Sequence, residues 1–203
     1  MIIGIEGVSC TGKTTLCAAL RPLLGAALTI PCYYHTAPDP DMLPNPVATS
    51  AQEQLEGMRV LLGIERVRRA RAEEAMNHGH LIVLDRTVDT LLAHTRAVAR
   101  IQGLDSDHAA RTLAVDSTPL IPDLTLLLRA PSDVLTERAR RRPGLPPIFY
   151  DGAFTRHFED HFSRPLARTC VRVDATQPTD VLAAHAHQLI KEHAPTQPTG
   201  GER

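Results

Sequence analysis

Eight residues near the start restrict this chain more than any other stretch. Gly7-Val8-Ser9-Cys10-Thr11-Gly12-Lys13-Thr14 fits G-x-x-x-x-G-K-[ST], directly after an apolar run, Ile2 to Glu6, and ahead of a segment that reads as helix from Lys13 to about Leu24. A buried strand that turns sharply into a helix leaves the first helical N–H groups without partners, and glycines let the backbone curl around whatever meets them. The natural occupant is an anion, because aligned N–H groups and the helix dipole both favour negative charge. The pattern therefore predicts a polyphosphate cradle formed by Gly7, Ser9, Cys10, Thr11, Gly12, Lys13, Thr14 and Thr15. Lys13 would reach the outer phosphates of a bound ATP, and the Thr14 hydroxyl would ligate Mg²⁺.

The rest of the chain alternates strand and helix. Apolar runs at Ala27–Ile30, Leu81–Leu84, Leu124–Leu128 and Val171–Val173 read as further buried strands. Helices are expected from Ser50, with Glu53 completing a capping box, to about His78; from Thr87 to about Ile101; after Ser106; from Ser132 as N-cap; from about Gly152 to Arg168; and from Thr179 to His193. Between them, PCYYHTAPDPDMLPNP (31–46) is too rich in proline for a helix and reads as an ordered surface excursion. This alternation predicts an α/β fold in which a five-stranded parallel sheet is covered by helices on both faces. Ligands of such sheets gather at the carboxyl ends of the strands.

That rule selects the remaining candidates. Asp85 ends the third apolar run and is placed to hold Mg²⁺ with Thr14, and Arg86 beside it to grip a phosphate or a substrate oxygen. Arg138, Arg140, Arg141 and Arg142 end a helix before a Pro-Gly break and fit a lid around 138–150, whose arginines would stabilise charge on a moving phosphoryl group. At the tip of the second strand, Tyr33, Tyr34 and His35 could stack on or bond to a ring or sugar, and Asp39 and Asp41 join Asp85 as candidate bases for a hydroxyl acceptor. His157 and His161 lie four apart, which would suit a metal, although a solvated helix face is the favoured reading; Phe154, Phe158 and Phe162 read as core.

Composition excludes several alternatives. With 203 residues, 43% of them hydrophobic, one core is expected, as a single domain over 1–194 with a flexible tail at 195–203. Lys plus Arg number 22 against 23 Asp plus Glu, so no overall basic field points to nucleic acid or an anionic membrane as partner. No apolar run approaches the roughly 18 residues of a membrane span, and no signal segment is evident, so a cytoplasmic protein is expected. The four cysteines, Cys10, Cys17, Cys32 and Cys170, are far apart and read as reduced thiols.

The sequence resembles the thymidylate kinase and deoxynucleoside kinase group. Besides the phosphate loop, VLDRT resembles that family's D-R-[YF] step and LLGIERVRRA its A-A-D-R helix segment. PDLTLLLRAPSDVLTERARRR resembles its strand-to-lid stretch, and VDATQPTDVLAAH its D-A-[ST]-Q-P loop. The resemblance implies a three-layer α/β P-loop NTPase fold, ATP on the phosphate loop with adenine near the loop after Asp174, Arg66 and Arg86 on the acceptor, and Arg138 and Arg142 in the lid. A small-molecule acceptor, nucleoside or nucleotide, follows, and a homodimer is compatible with it. Two departures leave the acceptor open: Thr87 stands where the family has an aromatic, and Pro31-Cys32-Tyr33-Tyr34-His35 where it has an arginine or a glutamate. A kinase of another hydroxylated metabolite or antibiotic, and an ATP-binding regulatory module without transfer, are the competing readings.

Overall fold

The computed structural model describes residues 1–141, 144 and 146–194. Five strands, β1 (Ile2–Glu6), β2 (Ala27–Ile30), β3 (Leu81–Asp85), β4 (Leu124–Arg129) and β5 (Cys170–Asp174), form one parallel sheet in the order β2-β3-β1-β4-β5. β1 lies at the centre, with Ile3 opposite Val83 on one side and Leu124 on the other. The strands are apolar on both faces because helices cover both. Ile3, Ile5, Val83, Leu126 and Val173 pack on α1 (Lys13–Leu20) through Leu16 and Leu20, together with Leu182 and Ala186 of the C-terminal helix Thr179–His193. The opposite face carries α3 (Ala51–Asn77), α4 (Val88–Gln102) and α7 (Gly152–His161) over Ile30, Ile82, Leu84 and Leu127, with α5 (Asp107–Asp116) packed against α3 and α4. This is the expected three-layer α/β architecture.

Local signals set most element ends. Ser50 caps α3 by accepting from the Glu53 N–H at 3.1 Å, and the Glu53 carboxylate reaches back to Thr49 N at 2.8 Å. Gly103, left-handed at φ 68°, closes α4. Three expectations need correction. The 31–46 excursion contains a one-turn helix, α2 (Tyr33–Thr36), and a 3₁₀ turn, Pro40–Met42, because its prolines leave a window free of them at Tyr33–Thr36 and Pro40 falls at a first helical position, where its missing N–H costs nothing. α7 stops at His161, not Arg168: the Phe162, Ser163 and Arg164 N–H groups turn back in short bonds to Glu159, Asp160 and His161 ahead of Pro165. Helix α6 (Ser132–Arg140) is entered from Pro131, and the Ser132 side chain makes no cap. Among the described residues no helix is long and apolar enough to cross a membrane.

Candidate active site

The loop between β1 and α1 takes its shape from three left-handed residues, Gly7 (φ 138°), Cys10 (φ 65°) and Gly12 (φ 95°). A side chain at Gly7 would place Cβ 2.5 Å from the Leu128 carbonyl, so only glycine lets the loop press against β4. α1 begins at Gly12 with no side-chain cap and no acidic residue in its first turn. Its leading N–H groups are thus left for an external anion, where a capping side chain would otherwise compete. Lys13 is buried, and its ammonium donates to the Gly7 carbonyl at 2.8 Å and the Val8 carbonyl at 2.7 Å. Burial, and after it the charge of Arg86, pull its pKa down to about 7. Thr11 is buried, donating to the Val8 carbonyl at 2.9 Å, and so braces the loop from within.

At the foot of the loop the Thr14 hydroxyl donates to Asp85 Oδ2 at 2.7 Å. A hydroxyl and a carboxylate held this close are hard oxygen donors of the kind Mg²⁺ takes, usually with water and phosphate oxygens completing its shell. Arg86 follows with φ 68°, a costly conformation for a residue with a side chain. Two buried groups hold it. Arg68, fully buried on α3, donates to the carbonyls of Pro31 (3.0 Å), Asp85 (3.2 Å) and Arg86 (2.6 Å), and so clamps the ends of β2 and β3 together. Its charge is matched by Glu65 at 2.7 Å, and its guanidinium stacks 4.3 Å over the Tyr33 ring. Glu6, at the tip of β1, accepts from the Thr87 N–H (2.7 Å), the Thr87 hydroxyl (2.8 Å) and the Thr90 hydroxyl, and so secures the start of α4 immediately after Arg86. Burial raises its pKa, while those bonds and Arg86 oppose the rise.

These elements enclose a cleft of about 520 Å³. It is lined by Ser9, Cys10, Gly12, Lys13, Thr14 and Thr15 on the phosphate-loop side, by Asp85 and Arg86 at its centre, and by Tyr33, Tyr34 and His35 at the tip of β2. Tyr33 is no free contact: its hydroxyl donates to Glu65 at 2.9 Å. His35 Nδ1 lies 3.2 Å from the Cys32 thiol. Beyond them Gln54, Leu61, Thr90, Leu91, His94, Phe149 and Phe154 form the far wall.

Several candidates lie elsewhere. Asp39 and Asp41 are exposed outside this lining, Asp39 being occupied as the cap of the 3₁₀ turn, where it accepts from Asp41 N at 2.9 Å. Arg66 is exposed on α3, and the inward arginine of that segment is Arg68. Arg138 reaches the cradle from behind, bonding the carbonyls of Ala175 (2.8 Å), Cys10 and Thr11 (both 3.4 Å). Arg140 and Arg141 pair with Glu137 in solvent. Arg142 and the 195–203 tail lie outside the described residues. His161, expected on a solvated face, is buried and bonded to Asp89 at 2.7 Å.

No family model matches the chain. Over 199 residues it is 27% identical to a probable thymidylate kinase of Archaeoglobus fulgidus, covering 94% of this chain and 95% of that one. Along nearly its whole length the chain is similar in sequence to thymidylate kinases. The fold superposes on the thymidylate kinase of Candida albicans with a TM-score of 0.72, at 19% identity over 94% of this chain and 91% of the other. A deoxyadenosine kinase from M. mycoides with bound dATP gives 0.70, at 14% identity over 94% of this chain and all of that one (100%). Neither Glu6, Glu65 nor Arg68 was selected from the sequence, though a signal existed for each: Glu6 ends an otherwise apolar strand, and Glu65 and Arg68 fall on the buried stripe of α3.

Proposed function

We propose that this kinase transfers the γ-phosphoryl group of ATP, with Mg²⁺, to a nucleoside monophosphate. The observation that carries this reading is the Thr14–Asp85 pair at the foot of an uncapped cradle, sharing one cleft with Lys13 and Arg86. Lys13 and the first-turn N–H groups of α1 would bind and orient the donor phosphates; Thr14 and Asp85 would hold the metal. Mg²⁺ supplies charge neutralisation between the phosphate oxygens. Arg86, fixed by Arg68 and Glu6, would point its guanidinium at the acceptor's own phosphate, where its planar fork suits two oxygens.

The acceptor class follows from what the cleft lacks among its described residues. A hydroxyl acceptor must surrender a proton, and Asp85, already engaged by Thr14, is the one carboxylate in the lining. A phosphate oxygen is already anionic and needs no base. We further take the protein to be cytoplasmic and to act on a small molecule, as a monomer or homodimer; analytical ultracentrifugation decides between the last two.

The test is ADP release with ATP and Mg²⁺ against three acceptor sets: nucleosides, nucleoside monophosphates, and hydroxylated sugars or antibiotics. Turnover confined to monophosphates is expected. Preference for a nucleoside would replace the phosphate reading and make His35 the next base to examine, while no turnover at all would favour a binding module. Lys13→Ala should abolish transfer, and Arg86→Ala should raise KM for the acceptor with ATP affinity retained.

A further inference from the structure

The far wall of the cleft contains a hydrogen-bond acceptor with nothing to accept. Among the described residues four buried side-chain atoms lack partners, His94 Nε2, Arg96 Nε, Asp107 Oδ1 and Thr125 Oγ1, and only His94 lines the cleft. The Pro46 carbonyl, which can only accept, acts on the ring and favours an N–H on the nitrogen toward it, which leaves the unpartnered Nε2 with a bare lone pair. Phe149 and Phe154 pack around it, with ring centres 5.8 and 5.6 Å away. Burial, followed by Arg86, lowers its pKa to about 4, so the ring is neutral at physiological pH. The polar neighbours are already engaged: Gln54 donates to the Thr95 carbonyl and accepts from Ser106, and Thr90 donates to Glu6. A buried acceptor left unpaired is costly, and a ligand that brings the missing donor removes that cost.

Resting on the nucleotide reading above, we propose that His94 Nε2 selects the acceptor by taking a hydrogen bond from a neutral donor on it, a base N–H or a sugar O–H. His94 lies one helical turn beyond Thr90 on α4, which displaces it from Arg86 along the cleft toward the apolar wall of Leu61, Leu91 and Phe149. An acceptor anchored by its phosphate at Arg86 therefore extends its sugar and base past this atom. Phe154 is fixed in the core, whereas Phe149 sits half-buried on the short turn Pro147–Tyr150, so Phe149 is the ring that turns aside to admit the ligand.

The experiment compares thymidine 5′-monophosphate with its N3-methyl and its 3′-deoxy analogues, in the wild type and in His94→Phe and His94→Gln, by kcat/KM and by calorimetric binding. The wild type should lose about tenfold on the analogue that lacks the recognised donor. His94→Phe should lose about tenfold on the parent compound, mainly in KM, and nothing more on that analogue. His94→Gln, whose amide oxygen accepts, should recover part of the discrimination. Which analogue couples identifies base or sugar. An equal loss on all three compounds in His94→Phe, or no loss on any, would overturn the role of His94 while leaving the kinase reading intact; a wild type that neither binds nor phosphorylates any of the three would overturn both. An unchanged rise in melting temperature with ATP and Mg²⁺ shows that the variants are folded.

Discussion

Arg68 and Lys13 are both buried cations, and they behave in opposite ways. Arg68 has its carboxylate at 2.7 Å and three backbone carbonyls, so its charge is fully satisfied. Arg68→Ala would strand Glu65 as a buried charge and free the left-handed Arg86, and should lower unfolding free energy by roughly 3–5 kcal/mol in urea titrations. Lys13 instead faces neutral carbonyls, with its pKa drawn down to about 7 by burial and then by Arg86. The sign follows directly. Above pH 7 the free protein increasingly holds a neutral amine, and donor phosphates restore the ammonium, so nucleotide binding at pH 8.5 should take up close to about one proton and weaken as pH rises. At pH 6 uptake should vanish. Calorimetry in two buffers of different ionisation enthalpy measures it; pH-independent proton uptake would remove Lys13 from that role. At Gly7 the constraint is steric: Gly7→Ala meets the Leu128 carbonyl at 2.5 Å and should cost about 2 kcal/mol or more, with loss of nucleotide binding.

Among the elements, α3 explains both what the sequence revealed and what it hid. Its inward stripe runs Met58, Leu62, Glu65, Arg68, Ala72, Ala75, at steps of three and four. The apolar members make the helix and its buried face legible, and the two charges on the same stripe were passed over because charge ordinarily marks solvent. Spacing alone places Glu65 and Arg68 inside and turns Arg66 outward, against the motif resemblance that favoured Arg66. α7 gives the complementary lesson: its phenylalanines at helical spacing announce a core face, yet its end is set by capping bonds before Pro165 that no periodicity encodes. Asp89 then locks this region, accepting from the Leu166 (2.8 Å) and Ala167 (3.1 Å) N–H groups and bonding His161. Asp89→Ala leaves those groups buried and unpaired. A loss of about 3 kcal/mol in thermal melts is expected, with amide exchange accelerating in α7 before it does in β1.

Across the whole molecule, the strands themselves were readable from apolar runs, and the cradle from one motif, because both are local. Their order was not, since β1 between β3 and β4 is decided by pairings far apart in sequence. The global readout of the site is linkage between binding and folding: ATP with Mg²⁺ at about 100 times Kd should stabilise the protein by about 2.7 kcal/mol, or roughly 5–10 °C in Tm for a chain of this size. Thr14→Ala and Asp85→Asn should each reduce that shift while leaving the unliganded Tm within a few degrees; a full shift in both variants would contradict their placement at the metal.

The strand order also divides labour. The tips of β1, β4 and β5 meet at the cradle, where Arg138 joins the loop after β1 to the loop after β5, while the tips of β2 and β3 meet under Arg68. Each half of the cleft has its own brace, and Thr14 with Asp85 and Glu6 with Thr87 stitch the two together, so residues 31–57 from a relative, grafted alone, should leave Arg86 and His94 in place and the preferred acceptor unchanged.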